Sequence, residues 1–144
     1  MSVFLDSSAL VKRYADEAGA DIVRSVENAV VCAIARVEIP AAIWRKQRLG
    51  ELTATEAALL VDQFDWEWNG DEATDSAFAV VALSDGVLEE AALACARHAL
   101  RAYDAVQLAS ALLARTADPS LSTFACFDLA LSAAAAQEGF SIME

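Results

Sequence analysis

The chain has 144 residues, a formal net charge of −12 and a hydrophobic content of 57%. This length predicts one domain spanning residues 1–144, and the high apolar content excludes a disordered acidic tail. The acidity argues at first against non-specific binding to nucleic acid, which depends on Lys and Arg at the phosphates. Residues 49–96, however, hold eleven acids and no Lys or Arg, whereas the rest of the chain is nearly balanced. The charge therefore limits where a nucleic acid can bind and does not exclude binding.

The N-terminal residues and the cysteines predict a cytoplasmic protein. The first residues, MSVFLD, lack the basic and long apolar regions of a signal peptide. The longest apolar run, 77–83, is too short to cross a bilayer. Cys32, Cys95 and Cys126 have no C-x-x-C spacing and are most simply reduced thiols. A single histidine, His98, is too few for a usual zinc site, whereas carboxylates are abundant.

Short apolar runs alternate with helical patterns along the chain. The runs that predict strands are 3–6, 29–33, 78–83, 123–127 and 140–143. The patterns that predict helices are 9–14, 20–26, 34–49, a segment opened by the capping box at 53–56, 87–98, 103–115 and 129–136. Pro40 lies inside the third helix, where we expect a late start or a kink. The alternation predicts an α/β domain whose parallel sheet is covered on both faces.

Acidic residues follow predicted strands or open predicted helices at four places. Asp6 ends the first strand, Glu38 lies near the start of the helix after the second, Asp104 opens a helix, and Asp128 follows the fourth strand. Because ligands bind beyond the carboxyl ends of parallel strands, we expect these side chains to converge. Asp104 and Asp128 could instead be ordinary acids at helix N-termini, and Glu38 a solvated helix residue. Asp6 has the weakest structural explanation, since a buried strand rarely ends in an acid.

Convergence of these carboxylates would have a chemical consequence. The groups repel one another, and either protons or a cation must offset that repulsion. Sites built only from oxygen select hard cations, so Mg²⁺ or Mn²⁺ is the expected cofactor. Such ions promote phosphoryl chemistry because they polarise phosphate oxygens and lower the pKa of bound water. The residues alone therefore predict metal-dependent chemistry on phosphate esters.

The sequence resembles PIN-domain ribonucleases over essentially its whole length. Residues 6–12, DSSALVK, are similar to the opening motif of that family, and residues 36–38, RVE, to its second acidic segment. The most specific match is LRAYDAVQLA at 100–109, and FDLAL at 127–131 resembles the last motif. The order of the motifs and the size of the chain most resemble the VapC group, the toxin half of type II toxin–antitoxin pairs.

The resemblance implies a three-layer α/β/α sandwich with a central, mostly parallel sheet of four to five short strands. It implies an endoribonuclease toxin that hydrolyses phosphodiester bonds in single-stranded or structured RNA and leaves a 5′-phosphate and a 3′-hydroxyl. In that family the acids matching Asp6, Glu38, Asp104 and Asp128 hold one or two Mg²⁺ or Mn²⁺ ions, and Ser8 matches a supporting hydroxyl. Such toxins usually form homodimers, have no membrane partner and are inhibited by a cognate antitoxin protein.

Three further features bear on the predicted site and its surroundings. The family commonly has Thr or Ser two residues before the fourth acid, where this chain has Cys126, a weaker hydrogen-bond donor. Lys12, Arg36 and Arg101 lie near the acids in sequence and are candidates for phosphate contacts, with surface ion pairs as the alternative. The alternating aromatic residues of 64–68 fit either a partner surface or a helix end packed in the core.

Two other functions fit parts of the sequence. One is a catalytically weak or inactive PIN-fold module that acts as a binding or regulatory partner; the set of acids disfavours it and Cys126 favours it. The other is an aspartyl-phosphate phosphotransferase of the haloacid-dehalogenase type, with Asp6 as the nucleophile. That class requires a second Asp two residues later, where this chain has Ser8.

Overall fold

A computed structural model describes residues 1–144 as one parallel sheet between helices. The strands are β1 (Ser2–Leu5), β2 (Asn28–Cys32), β3 (Phe78–Val81), β4 (Thr123–Ala125) and β5 (Ser141–Met143). The helices are α1 (Ser7–Leu10), which continues as a 3₁₀ turn (Val11–Arg13), α2 (Ala20–Arg24), α3 (Ala35–Arg48), α4 (Ala54–Asn69), α5 (Asp85–His98), α6 (Ala102–Ala117) and α7 (Leu129–Gln137). None of these helices combines the length and the hydropathy that crossing a membrane requires.

All neighbouring strands of the sheet are parallel, in the order β3-β2-β1-β4-β5. The central strand is β1, where Phe4 pairs with Val30 of β2 on one side and with Phe124 of β4 on the other. The chain proceeds outwards from β1 through β2 to β3 and then crosses to β4 on the opposite side. The strand order therefore reverses beside β1, and such a switch point is where open parallel sheets bind ligands.

Alternate residues of β1 face two separate hydrophobic cores. Val3 and Leu5 pack with residues of α1 to α4, whereas Phe4 packs with residues of α5 to α7. The Phe4 ring stacks on Phe124 with the ring centroids 5.1 Å apart. Because both faces of the strand are buried, its sequence is continuously apolar, as expected for a parallel sheet between two helix layers. The predicted α/β fold with helices on both faces is confirmed.

Several elements have other bounds than predicted, among them β3, which ends at Val81, and α2, which ends at Arg24. The differences at β4 and α5 have clear physical reasons. β4 ends at Ala125, so Cys126 lies in the loop before α7, where its sulfur accepts a hydrogen bond from the Asp128 backbone N–H at 3.3 Å. α5 begins at Asp85 and includes the Asp–Gly pair that was expected to lie outside it. Ser84 accounts for this start, because its hydroxyl accepts a hydrogen bond from the Val87 N–H at 3.2 Å and caps the helix.

Burial in the core explains two helical segments, α3 and the end of α4, whose sequence patterns are ambiguous. α3 continues from Ala35 to Arg48 through Pro40, so the expected late start is wrong. A proline removes one helical hydrogen bond, and the full burial of Ile39 and Ile43 on either side keeps the segment helical. At the end of α4, Phe64 is fully buried and packs against the Trp68 ring, whereas Trp66 is 52% exposed. The aromatic segment is therefore divided between the core and the surface.

Candidate active site

Asp6 immediately follows the central strand and is 4% exposed. Its carboxylate accepts hydrogen bonds from the Ser8 hydroxyl at 2.8 and 2.9 Å, from the Ala9 backbone N–H at 2.8 Å and from the Cys126 thiol at 3.2 Å. Burial raises the pKa of Asp6 from its ordinary value of 3.8 to about 6; the negative charge of Asp104 adds to that rise, and the hydrogen bonds oppose it. Asp6 is thus held in place by hydrogen bonds, and a nearby positive charge would stabilise its ionised form.

Glu38 lies in the first turn of α3 and is held by residues from two other elements. Its Oε1 accepts hydrogen bonds from the Ser7 hydroxyl and from the Gln107 side-chain amide, each at 2.9 Å. The same amide also donates to the Ser7 oxygen at 2.9 Å, which closes a triangle of polar side chains. The triangle connects the start of α1 with α3 and α6. It therefore fixes the direction of the Glu38 carboxylate.

Gln107 was not predicted from the sequence as part of the site. It is 3% exposed, and its side-chain oxygen Oε1 is buried without any hydrogen-bond partner in the protein. Buried polar atoms are nearly always paired, so an unpaired one beside a polar cluster needs a partner that the protein does not supply, such as water or an ion. The signal in the sequence is a glutamine on the apolar face of a helix, three residues after Asp104. Its partners, 69 and 100 residues away, are visible only in the fold.

Asp104 lies in the first turn of α6 and is partly buried. Burial raises its pKa, and the negative charge of Asp128 raises it further, while Arg101 acts in the opposite direction. The Arg101 guanidinium approaches the Asp104 carboxylate at 3.5 Å, and its own side chain is 85% exposed. Asp104 and Glu38 line the same open cavity of about 300 Å³ together with Arg101. Two of the predicted acids, Glu38 and Asp104, therefore share a cavity.

Asp128 caps α7, where its Oδ1 accepts a hydrogen bond from the Leu131 backbone N–H at 2.9 Å. It still lies close enough to Asp104 for its charge to affect the pKa of that residue. Cys126 connects this loop with Asp6, because its sulfur accepts from the Asp128 N–H while its thiol donates to the Asp6 carboxylate. Burial, and then the charge of Asp6, raise the pKa of Cys126 to about 12, so the group remains a neutral donor.

The four predicted acids thus lie at one edge of the sheet, but they do not form a closed cage. No group of three or more His, Cys, Asp or Glu side chains is arranged to hold a metal ion. Mg²⁺ usually keeps several waters and takes only one or two protein carboxylates, so a closed cage is not required. The donors are carboxylate oxygens, two of them with raised pKa values, next to the unpaired Oε1 of Gln107. This donor set fits a hard divalent cation.

The basic residues predicted to contact phosphate occupy different environments. The Lys12 ammonium contacts Glu17 at 3.0 Å and the Ala18 carbonyl at 2.8 Å, and its side chain is only 12% exposed. The Arg36 guanidinium pairs with Asp65 of α4 at 2.8 Å. Both cations are therefore engaged by other residues. Arg101 alone among the three has a largely exposed side chain at the cavity that contains Glu38 and Asp104.

Two solved structures share the fold of this chain, although its sequence matches no protein-family model and no curated protein significantly. One is VapC20 of Mycobacterium tuberculosis, described as a toxin that cleaves the sarcin-ricin loop. It has a TM-score of 0.61 at 16% identity, and the match covers 92% of this chain and 94% of VapC20. The other belongs to a toxin–antitoxin complex from Klebsiella pneumoniae, with a TM-score of 0.54, 16% identity, and coverage of 88% of this chain and 86% of that chain. The chain therefore shares the PIN-like α/β fold of VapC20.

Proposed function

We propose that this protein is a Mg²⁺- or Mn²⁺-dependent endoribonuclease and the toxin of a toxin–antitoxin pair. The observation that supports the proposal is that Glu38 and Asp104 line one cavity, while burial and, after it, the charges of Asp104 and Asp128 raise the pKa values of Asp6 and Asp104 respectively. Such mutual repulsion suits a site completed by a cation. The fold shared with VapC20, which cleaves RNA according to its description, supports the choice of substrate.

In this proposal the four acids hold one or two ions, directly or through metal-bound water, and the surrounding residues hold the acids. A bound Mg²⁺ or Mn²⁺ ion supplies Lewis-acid polarisation of the phosphate and a lowered pKa for water. Ser8, the Ala9 N–H and Cys126 fix Asp6 by hydrogen bonds. Ser7 and Gln107 do the same for Glu38. Because these carboxylates are oriented before substrate binds, little reorganisation is required during the reaction.

The partners are also part of the proposal. The Klebsiella pneumoniae neighbour is described as part of a toxin–antitoxin complex, which supports a cognate antitoxin as the partner of this chain. We further propose a homodimer as the toxin's free form. Light scattering of the purified chain, alone and with the product of a neighbouring small gene, measures both associations. A monomer that binds no such product would contradict them.

The structure bears differently on the two alternative functions, the inactive binding module and the phosphotransferase. A PIN-fold binding module without catalysis is favoured by one observation, the lack of three metal-ligating side chains in a ready arrangement. An aspartyl-phosphate phosphotransferase is disfavoured, because that class requires a second Asp two residues after the nucleophile, and this position is Ser8, whose hydroxyl donates to Asp6.

One assay separates these three functions. The purified chain is incubated with total cellular RNA and Mn²⁺ or Mg²⁺, with EDTA and the Asp6→Asn and Asp104→Asn variants as controls. Metal-dependent cleavage that both variants lose supports the nuclease. Covalent phosphorylation of Asp6 by a phosphoester would instead support the phosphotransferase, and binding of RNA or protein without any cleavage would support the inactive module.

Gln107 provides a first prediction about the site. Gln107→Leu removes the two hydrogen bonds that the Gln107 amide donates, one to Glu38 and one to Ser7. It is expected to weaken Mn²⁺ affinity by about 10- to 100-fold, the usual effect of losing a partner that orients a metal ligand. Ser7→Ala removes one of the two hydrogen bonds to Glu38 and leaves the Gln107 amide still donating to it, so it is expected to have a smaller effect in the same direction. The measurement is the rise in melting temperature during a Mn²⁺ titration.

The matched control for Gln107 is Gln63→Leu, an exposed glutamine on α4. This variant is expected to keep the Mn²⁺ response of the wild type, since Gln63 contacts only Glu67, at 3.4 Å. If Gln107→Leu and Ser7→Ala both titrate with Mn²⁺ as the wild type does, Glu38 is not oriented by these residues for metal binding.

Arg101 provides a second prediction. Arg101→Glu is expected to lower cleavage about tenfold at low salt, because a phosphate contact is lost and a like charge is added. The loss should be similar for RNAs of different sequence, and the dependence of affinity on salt should weaken by about one phosphate contact. Arg48→Glu, an equal change in charge at an exposed site on the end of α3, is the control. Unchanged cleavage by Arg101→Glu would remove Arg101 from the site.

A further inference from the structure

An exposed aromatic ring stands at the mouth of the candidate active site. Tyr103 precedes Asp104 in the first turn of α6 and is 64% exposed. It lines the cavity of about 300 Å³ that also contains Glu38, Asp104 and Arg101. Only one other aromatic side chain, Trp66 of α4, is more than half exposed. Tyr103 is therefore the exposed aromatic residue that lies at the acids.

The Tyr103 side chain makes no specific polar or aromatic contact within the protein. Its hydroxyl has no hydrogen-bond partner, and its ring pairs with no other aromatic ring or cation in the protein. Tyr14, the other tyrosine, is 5% exposed and its hydroxyl donates to Glu67 at 2.6 Å. A tyrosine ring with both its face and its hydroxyl free is typical of a surface that contacts a ligand.

Apolar side chains also adjoin the other acids at this edge. Val37, next to Glu38, is 66% exposed, and Leu129, next to Asp128, is 85% exposed. Like Tyr103, each of them is the sequence neighbour of one candidate metal ligand. The cavity beside Tyr103 also has a cation, because the Arg101 side chain is 85% exposed and forms a salt bridge only with Asp104, at 3.5 Å. An aromatic ring and an exposed guanidinium at one cavity offer contacts for the base and the phosphate of a nucleotide.

We infer that Tyr103 is a specificity-determining residue on which an unpaired nucleobase stacks beside the cleaved phosphodiester, with Arg101 at the neighbouring phosphate. The inference rests on the proposed function, because it places the base next to the site of hydrolysis. Base–aromatic stacking accepts any base but requires that the base leave its own helix. The substrate class is therefore RNA with at least one unstacked nucleotide at the cleavage position, in a single strand or in a loop.

Exposed apolar residues such as Tyr103 also occur in protein interfaces, so a protein chain is the other class of ligand for this surface. The exposed ring and the guanidinium at the same cavity favour a nucleotide, because both groups stack on bases and Arg also binds phosphate. A protein contact is therefore the competing outcome in the experiment.

The test is a cycle that changes the ring and the base separately. The substrate is a labelled RNA that spans a cleavage site mapped with total RNA, together with copies in which one base beside that site is replaced by an abasic nucleotide. Wild type, Tyr103→Leu and Tyr103→Phe are compared by KM and kcat in Mn²⁺. Trp66→Leu, which removes the other exposed aromatic side chain, is the control for loss of surface area.

Stacking predicts that Tyr103→Leu raises KM by about 10- to 100-fold with kcat changed little, and that Tyr103→Phe restores the wild-type KM to within about twofold. With the abasic RNA, the KM of the wild type should rise by the same factor. The KM of Tyr103→Leu should be the same for abasic and intact RNA. Trp66→Leu should have the KM of the wild type.

The results that overturn the inference are distinct from the failure of the proposed function. If the wild type cleaves RNA and Tyr103→Leu has an unchanged KM, or loses the same factor again on abasic RNA, the ring does not stack on that base. Unchanged cleavage together with weaker binding of an antitoxin would overturn the inference in favour of a protein contact. If the wild type cleaves no RNA with any divalent metal, the proposed function fails and the inference fails with it.

Discussion

Replacing Asp104 with asparagine is expected to lower metal-dependent RNA cleavage by at least about a hundredfold. The side chain lies in the same cavity as Glu38, and its pKa is raised by burial and by the charge of Asp128. Loss of a partner that merely orients a metal ligand costs about 10- to 100-fold in metal affinity or activity, so loss of a ligand should cost more. The measurement is the initial rate of RNA cleavage in saturating Mn²⁺.

The control for this prediction is Asp62→Asn, which makes the same chemical change on the exposed surface of α4. It should cleave RNA at the wild-type rate. Asp104→Asn should retain the wild-type circular dichroism spectrum and cooperative unfolding, because its carboxylate contacts only Arg101, at 3.5 Å. Cleavage by a folded Asp104→Asn variant at the wild-type rate would exclude Asp104 as a ligand or catalytic group.

Asp6→Asn is expected to stabilise the metal-free protein at neutral pH while abolishing activity. Burial raises the pKa of Asp6 from 3.8 to about 6, so in the folded state the carboxylate is less stable than in the unfolded chain. Between about pH 4 and 6 the folded state binds more protons, and the free energy of unfolding therefore falls as the pH rises through this range. Above pH 6 the charged Asp6 carboxylate lowers the free energy of unfolding by roughly 3 kcal/mol. Asparagine carries no charge, so the Asp6→Asn variant does not lose this stability.

The measurement is chemical unfolding in EDTA at pH 8 and at pH 4. Asp6→Asn should be more stable than the wild type by about 1 to 3 kcal/mol at pH 8, and the difference should disappear at pH 4, where Asp6 is protonated. Millimolar Mn²⁺ should raise the melting temperature of the wild type and should do so much less for the variant. A variant that is less stable than the wild type at pH 8 would show that the Asp6 charge is already compensated without a cation.

Sequence patterns predict the fold well where burial is uniform. β1 reads as an apolar run because both of its faces are buried, and the parallel sheet follows from the alternation of such runs with helices. The position of Asp6 at the carboxyl end of that strand follows from the same pattern. The end of β4 was less predictable, since Cys126 continues the apolar run while its sulfur hydrogen-bonds the backbone of the loop.

The parts of the site that the sequence could not predict depend on long-range contacts. Gln107 meets Ser7 and Glu38 only because the N-terminal turns of α6, α1 and α3 come together in the fold, and no local pattern encodes that meeting. Likewise, the proximity of Lys12 and Arg36 to acids in the sequence fits either phosphate contacts or surface ion pairs. In the fold, Lys12 pairs with Glu17, and Arg36 pairs with an acid of α4. The partner of a charged side chain is decided by tertiary packing, and its identity must be read from the structure.

The chemistry of the RNA ends tests most directly whether these carboxylates form a metal-dependent nuclease site. Total RNA is incubated with the wild-type chain and Mn²⁺, and the new ends are ligated and sequenced before and after treatment with kinase and phosphatase. We expect cleavage that stops with EDTA and leaves a 5′-phosphate and a 3′-hydroxyl. Products with a 2′,3′-cyclic phosphate, cleavage that persists in EDTA, or no cleavage at all would contradict the proposed function.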